Sequence, residues 1–253
     1  MKKMLSSDRN SGAKRMAFDR RRMLLPVSAF LSVSLLLGTR SLADGNLSMA
    51  ATTKTAAAKL CEQNIEFGPW LEGVHQEALQ NGVSEQAWSA AKNYLVLDAE
   101  TLKRDRKQGV FQQSFLQFSD RMASLDRMKR AQNLLATTNK GLFDQIESVY
   151  GVPGAVISSL WALESDFGKV TGKFSILKSV TTLAYDCRRP EFFRGQLLYA
   201  LKLVTRGDVR PEEMIGNWAG ELGATQFMPK DYLESGVDFD RDGKVNLVVS
   251  TPD

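Results

Sequence analysis

Residues 151–168 read GVPGAVISSLWALESDFG, and the fold of the chain turns on how this stretch is taken. Gly151 and Pro153 suit the start of a helix, because the fixed φ of proline is preorganised for a first turn. Ile157, Leu160 and Trp161 recur at helical spacing and predict a buried stripe. Glu164 lies three residues from Trp161, four from Leu160 and seven from Ile157. It therefore takes a position where the stripe asks for one more apolar side chain. Gly168 is expected to end the helix. A carboxyl at the rim of an apolar face is desolvated, which favours its neutral form. A carboxyl that keeps its proton can pass it to a leaving group. The competing reading is structural: Glu164 bonds a buried arginine or caps a neighbouring helix.

The 253 residues, 43% of them hydrophobic, suffice for one sizeable core or two small ones. A formal charge of +4 suggests nucleic acid until its distribution is considered. Residues 1–43 hold nine Lys or Arg against two Asp, leaving the remainder at −3. The basic balance belongs to the leader, and nucleic-acid binding is set aside. That leader reads as an export signal over 1–43. Lys14, Arg15, Arg20, Arg21 and Arg22 precede the apolar stretch 24–38, and Ser41-Leu42-Ala43 offers a cleavage site. The apolar stretch is shorter than the roughly 20 residues of a spanning helix. A periplasmic location is expected, with a retained membrane anchor as the lesser alternative.

Cys61 and Cys187 are the two cysteines, and in an exported protein the even count suggests one disulfide between them. Two cysteines cannot make a zinc site alone. The single histidine, His75, sits in an ordinary amphipathic pattern, so a serine or cysteine nucleophile lacks an obvious base.

Residues 44–59 read as a linker. Phe67 to Ala78 follow helical spacing, stopped by Asn81-Gly82, and Ser84 caps a second helix carrying Trp88, Ala91 and Leu95. Residues 105–118 are polar with spaced aromatics. Met122 to Leu135 predict a third helix and Leu142 to Val149 a fourth, ended by Gly151. After the central helix, 177–183 and 192–204 predict two more, parted by Asp186-Cys187-Arg188-Arg189-Pro190. No alternating run long enough for a strand precedes Val237. The expected class is mainly α, with a small loop and strand segment near the end.

Three stretches carry a family resemblance: WALESDFG at 161–168, TLAYDCRRPEFF at 182–193 and GNWAGELGATQFMP at 216–229. Together, in this order and spacing, they closely resemble the membrane-bound lytic murein transglycosylase B family, glycoside hydrolase family 103, whose members share a lysozyme-like core. The likeness runs from about Cys61 to the last residue, which makes 60–253 the expected catalytic domain. The resemblance implies a lyase that cleaves the β-1,4 bond between MurNAc and GlcNAc in peptidoglycan and leaves a 1,6-anhydro ring. It makes Glu164 the single catalytic acid/base, with no cofactor for catalysis. A retaining hydrolase wants a second carboxylate about 5–5.5 Å away. Asp166, two helical residues on, points to another face. Without such a partner, the acetamido group of the substrate stabilises the developing charge.

In the third stretch, Gly216, Gly220 and Gly223 let backbone pass close to a sugar, and the Gln226 amide can both donate and accept. The resemblance sets Asn217 and Gln226 beside the catalytic Glu, with Asn217 standing where serine is common. It matches Arg188 and Arg189 to a pair suited to a substrate carboxylate; the alternative is a structural pair holding the Asp186 loop. Phe118 falls where some relatives carry a sugar-contacting tyrosine. Residues 238–244, DFDRDGK, resemble the opening of a calcium loop, with Asp238, Asp240, Asp242 and the Lys244 carbonyl as ligands. An EF-hand would want Glu where Val249 stands; the family closes its modified loop with an aspartate, and Asp253 is suitably placed. A structural calcium ion is thus expected, the alternative being a solvated acidic turn.

The family continues beyond this loop, so the chain is expected to be truncated at its C-terminus. Its partners are expected to be peptidoglycan glycan strands, with cell-wall synthesis or division proteins also in view. Two rival functions remain: a hydrolytic muramidase, and a non-catalytic peptidoglycan-binding fragment.

Overall fold

The computed structural model describes residues 65–107, 113–250, 252 and 253, all within the compact unit Asn46–Asp253. The leader 1–43, the whole linker 44–59 and Cys61 lie outside the described residues. The first helix, α1 (Phe67–Gln80), buries Val74 and Ala78 and stops at Asn81, whose side-chain amide donates to the Glu77 carbonyl at 2.8 Å. Ser84 caps α2 (Glu85–Ala91) by accepting from the Ala87 amide. A short 3₁₀ turn, Lys92–Tyr94, follows, so Leu95 is buried just beyond the helix it was assigned to.

The polar stretch after it is more regular than its composition suggests. Asp98 caps α3 (Ala99–Arg106), and a capping box of Ser114 and Gln117 starts α4 (Phe115–Met122). The helix expected from Met122 starts instead at Leu125. Met122 closes α4, and Ser124 caps α5 (Leu125–Ala136) by taking the Arg127 amide. Next come α6 (Lys140–Tyr150), closed by Gly151 at φ 71°, and α7 (Gly154–Ser165). Pro153 stands at the cap of α7 rather than inside its first turn.

Two-residue strands β1 (Phe174–Ser175) and β2 (Ile215–Gly216) pair antiparallel, Phe174 with Gly216 and Ser175 with Ile215. They enclose α8 (Ile176–Tyr185) and α9 (Pro190–Arg206), and α10 (Pro229–Ser235) follows. The described residues after Val237 form bends and turns, so the strand content lies earlier than that position. Such strands are too short to show alternation. The core gathers on α8 and α9, with Ile176, Leu177, Val180, Leu197, Leu201 and Leu203 almost wholly buried and α1, α2 and α10 packed around them. The fold is mainly α, as expected.

α5, α6 and α7 pack on one another as a second group. The inward face of α7 is not the expected stripe. Gly154, Ser158, Ala162 and Ser165 are its buried residues, while Val156, Leu160 and Leu163 are 48%, 57% and 43% exposed. Close approach is the reason: a Cβ at Gly154 would lie 3.0 Å from both Leu135 and Phe143. Small residues let the helices touch, while Val156, Leu160 and Leu163 face outward and Ile157 and Trp161 are half-buried.

Tyr232 in α10 ties the C-terminal segment to this core. It is fully buried; its hydroxyl donates to the Val245 carbonyl at 2.8 Å and accepts from the Leu247 amide at 3.1 Å. Burial pushes its pKa up to about 12. Tyr232→Phe strands both backbone groups, and the expected loss is about 1–3 kcal/mol, read as a lower midpoint in urea with an unchanged slope.

Candidate active site

Glu164 lies in the last turn of α7, exposed, and makes no hydrogen bond or ion pair with any described residue. The structural alternatives of a buried arginine partner or a helix cap are thereby absent among the described residues. It continues the outward face of Leu160, not a buried stripe. Immediately after it the chain turns through three left-handed residues, Asp166 (φ 52°), Phe167 (φ 62°) and Gly168 (φ 78°). Ser165, 1% exposed, fixes this corner: its hydroxyl donates to the Ala224 carbonyl and accepts the Gly168 amide at 2.9 Å. The residue next to Glu164 is thus fastened directly to the glycine-rich loop.

That loop is a small antiparallel meander, extended from β2 by bridges Gly216–Leu222 and Leu222–Phe227. It packs too tightly for side chains at two glycines. A Cβ at Gly172, which has φ 97°, would fall 2.0 Å from the Gly216 carbonyl oxygen, and one at Gly216 would fall 1.9 Å from that of Glu221. Asn217 and Gln226 face each other within it. The Asn217 amide nitrogen donates to Gln226 Oε1 at 3.0 Å and to Glu221 Oε2, while Asn217 Oδ1 accepts the amides of Ala219 and Glu221. Gln226 Nε2 donates to the carbonyls of Thr171 at 3.1 Å and Gly223 at 2.8 Å. Both side chains, expected to meet sugar, are engaged in holding the loop. Glu221, which the sequence reading passed over, is the carboxylate that steadies Asn217.

Arg188 and Arg189 converge on one buried acid. Arg188 Nη1 lies 2.7 Å from Asp105 Oδ2, Arg189 Nη2 lies 2.6 Å from Oδ1, and the Asp105 side chain is 1% exposed. Arg188 also donates to the Asp105 carbonyl, and Arg106 pairs with Asp186 at 2.6 Å. The arginine pair thus locks the loop after α8 to the end of α3, which is the structural alternative, with the outer edges of both guanidiniums still in solvent. Cys187 within this loop is disulfide-bonded. Phe118 is 38% exposed on α4, with the Arg121 guanidinium 5.9 Å from its ring centroid.

Of the expected calcium ligands, Asp238, Asp240 and Asp253 come together, each offering an oxygen within 4.8 Å of the others. Asp242 is outside this trio; its carboxylate accepts the Lys244 amide at 2.8 Å. The loop is wound by its own acids, with Asp238 accepting from Asp242 and Gly243, and Arg241 and Gly243 at φ 63° and 90°. Asp253 accepts the Phe239 amide at 2.9 Å and the Asn246 amide at 3.0 Å. An all-oxygen, carboxylate-rich donor set suits a hard divalent cation.

The profile of the family described as transglycosylase SLT domain matches residues 66–253. The chain belongs to this family. Membrane-bound lytic murein transglycosylase B of Escherichia coli (strain K12) is 39% identical over 100 residues, which is 39% of this chain and 28% of that protein. The crystal structure of SltB3 from Pseudomonas aeruginosa in complex with NAG-NAM-pentapeptide superposes with a TM-score of 0.68 at 33% identity, over 74% of this chain and 50% of that one. Escherichia coli Slt35 in complex with calcium gives a TM-score of 0.52 at 29% identity, covering 58% and 47%. This chain therefore spans about half the length of the solved relatives it matches. The lysozyme-like α-rich class expected from the sequence is the one found.

In this transglycosylase domain Asp166 is held by two arginines. Its Oδ1 accepts from Arg127 Nε at 3.1 Å and Arg130 Nη2 at 2.7 Å, and its Oδ2 accepts from Arg130 Nη1. The hydrogen bonds from Arg130 and then Arg127 hold its carboxyl below the usual aspartate range, against the opposing effect of burial. A depressed folded pKa contributes stability that is complete above the unfolded value and lost as pH falls through the folded one. Asn tolerates the left-handed backbone, so Asp166→Asn isolates the charge. The gap in melting temperature between wild type and this variant is expected to be widest near neutral pH and to close in acid.

Proposed function

We propose that the chain is a lytic murein transglycosylase that cleaves the MurNAc-β-1,4-GlcNAc bond of peptidoglycan with formation of 1,6-anhydro-MurNAc. One observation carries this: a solvent-facing glutamate without a partner among the described residues, at the end of a helix fastened to a glycine-rich loop, in a chain of the transglycosylase SLT family. Membership supports the reaction class, as does the relative holding NAG-NAM-pentapeptide. The chemistry needs no cofactor. Glu164 donates its proton to the glycosidic oxygen as the C1–O bond breaks. The substrate's 2-acetamido oxygen stabilises the positive charge at C1, a role that Asp166, bound by Arg127 and Arg130, does not take. The Glu164 carboxylate then removes the proton of the MurNAc 6-hydroxyl, whose oxygen closes on C1. One glutamate acts first as acid and then as base, and it ends protonated for the next turnover.

Asn217 and Gln226 act here by shaping the loop that receives the sugar, with Glu221 behind them. The solvent-facing edges of Arg188 and Arg189 present donors to a stem-peptide or lactyl carboxylate, and Phe118 offers a ring face to a sugar. Asp238, Asp240 and Asp253 would hold a structural calcium ion, a reading supported by their convergence and by the calcium in the Slt35 complex. Residues 1–43 would direct export to the periplasm, 44–59 would link them to the catalytic domain, and Cys61 would pair with Cys187 there.

Incubation of the exported chain with purified sacculi tests the activity. Release of soluble muropeptides is expected. Binding to sacculi with no release would leave a peptidoglycan-binding module and overturn the catalytic reading.

A further inference from the structure

The acidic loop and the glycine-rich loop meet at one backbone contact. The Leu247 carbonyl lies so close to Gly223 that a Cβ there would be 2.1 Å from its oxygen, and the Gly223 φ is 66°. The Gly223 carbonyl in turn accepts from Gln226 Nε2 at 2.8 Å, and its neighbour Ala224 accepts from Ser165, the residue beside Glu164. On the other side, Leu247 follows Asn246, whose amide donates to Asp253 Oδ2 at 3.0 Å. Asp253 Oδ1 accepts from Phe239, within the acidic turn. An unbroken series of short contacts therefore runs from Asp253 to the corner that carries Glu164.

We propose that Asp253 is a positioning residue for the glycan-binding loop, acting through Asn246 and Leu247 on Gly223, so that a divalent cation at the acidic turn and glycan at the loop reinforce each other's binding. The inference rests on the glycan reading given above. Its direction follows from charge. Three carboxylates with oxygens within 4.8 Å repel one another when nothing neutralises them. Asp253 is the member that also holds Asn246, so its displacement releases the segment buttressing Gly223. Held in place by a cation, Asp253 keeps that amide, and Leu247 stays against the loop. Tyr232, which holds Val245 and Leu247 from behind, limits the motion to the strip between Asn246 and Gly223. Binding coupled in this way is reciprocal: whatever factor the cation contributes to glycan affinity, glycan contributes to cation affinity.

The test uses the full wild-type chain and a GlcNAc–anhydro-MurNAc-pentapeptide, a product that is not turned over. Its Kd is measured by calorimetry in millimolar calcium and in chelator, and the calcium Kd is measured with and without it. Each ligand is expected to tighten the other at least about fivefold, the low end of usual coupling. Asp253→Asn is expected to bind the product as wild type does in chelator and to show no response to calcium. Calcium that raises the melting temperature yet leaves the product Kd unchanged would overturn the coupling, as would a chain that takes up no calcium. A chain that binds no product in either condition would instead overturn the glycan reading itself, and this inference with it.

Discussion

Replacing Glu164 by Gln is expected to lower muropeptide release from sacculi by at least the roughly 10²–10⁴-fold worth of general acid–base assistance. The loss should fall at the upper end, because the same side chain serves both proton transfers. Gln keeps the shape and removes the transferable proton. Glu164 has no described protein partner to lose, so the variant is expected to melt at the wild-type temperature and to bind sacculi as wild type does. Loss of release together with loss of fold would make Glu164 a structural residue.

The second large effect concerns stability. Removing Arg188 and Arg189 together leaves the Asp105 carboxylate, 1% exposed, without a cation. An uncompensated buried charge of this kind costs about 3–5 kcal/mol, on the order of 10 °C in Tm for a domain of this size. Either single substitution should cost less, since one guanidinium remains. Adding Asp105→Asn to the double variant removes the buried charge and is expected to recover most of the loss. The recovered triple variant then separates the two roles of the arginines. If its product affinity falls while its stability is restored, the guanidiniums also meet substrate. Unchanged affinity would confine them to the Asp105 clamp.

The helices were legible where the chain marks its own boundaries. Ser84 caps a helix by a local hydrogen bond and Gly151 closes one with a positive φ, so each signal lies within a few residues of its effect; the equally local caps Ser124 and Ser175 were passed over. The face of α7 was not legible. Ile157, Leu160 and Trp161 carry the helical period, but α7 approaches its neighbours through Gly154, Ser158 and Ala162, and small residues give no hydrophobic signal. The strands were missed for want of length. At the site, Glu164 and the acids at 238, 240, 242 and 253 were named from the family resemblance; the structure brings 238, 240 and 253 together and leaves 242 outside. Partners could not be so named. Asn217 and Gln226 are spent on Thr171, Gly223 and Glu221, and Arg188 and Arg189 on Asp105, more than eighty residues away in sequence for the first of the pair's bonds counted from Asp105.

The central claim is that one glutamate directs the MurNAc 6-hydroxyl, rather than water, to the anomeric carbon. Mass spectrometry of the muropeptides released from sacculi reads this directly. Products lighter by one water than the corresponding reducing-end muropeptides, and resistant to borohydride reduction, are the expected result. Reducible products of full mass would mean that water resolves the reaction, and would contradict the account.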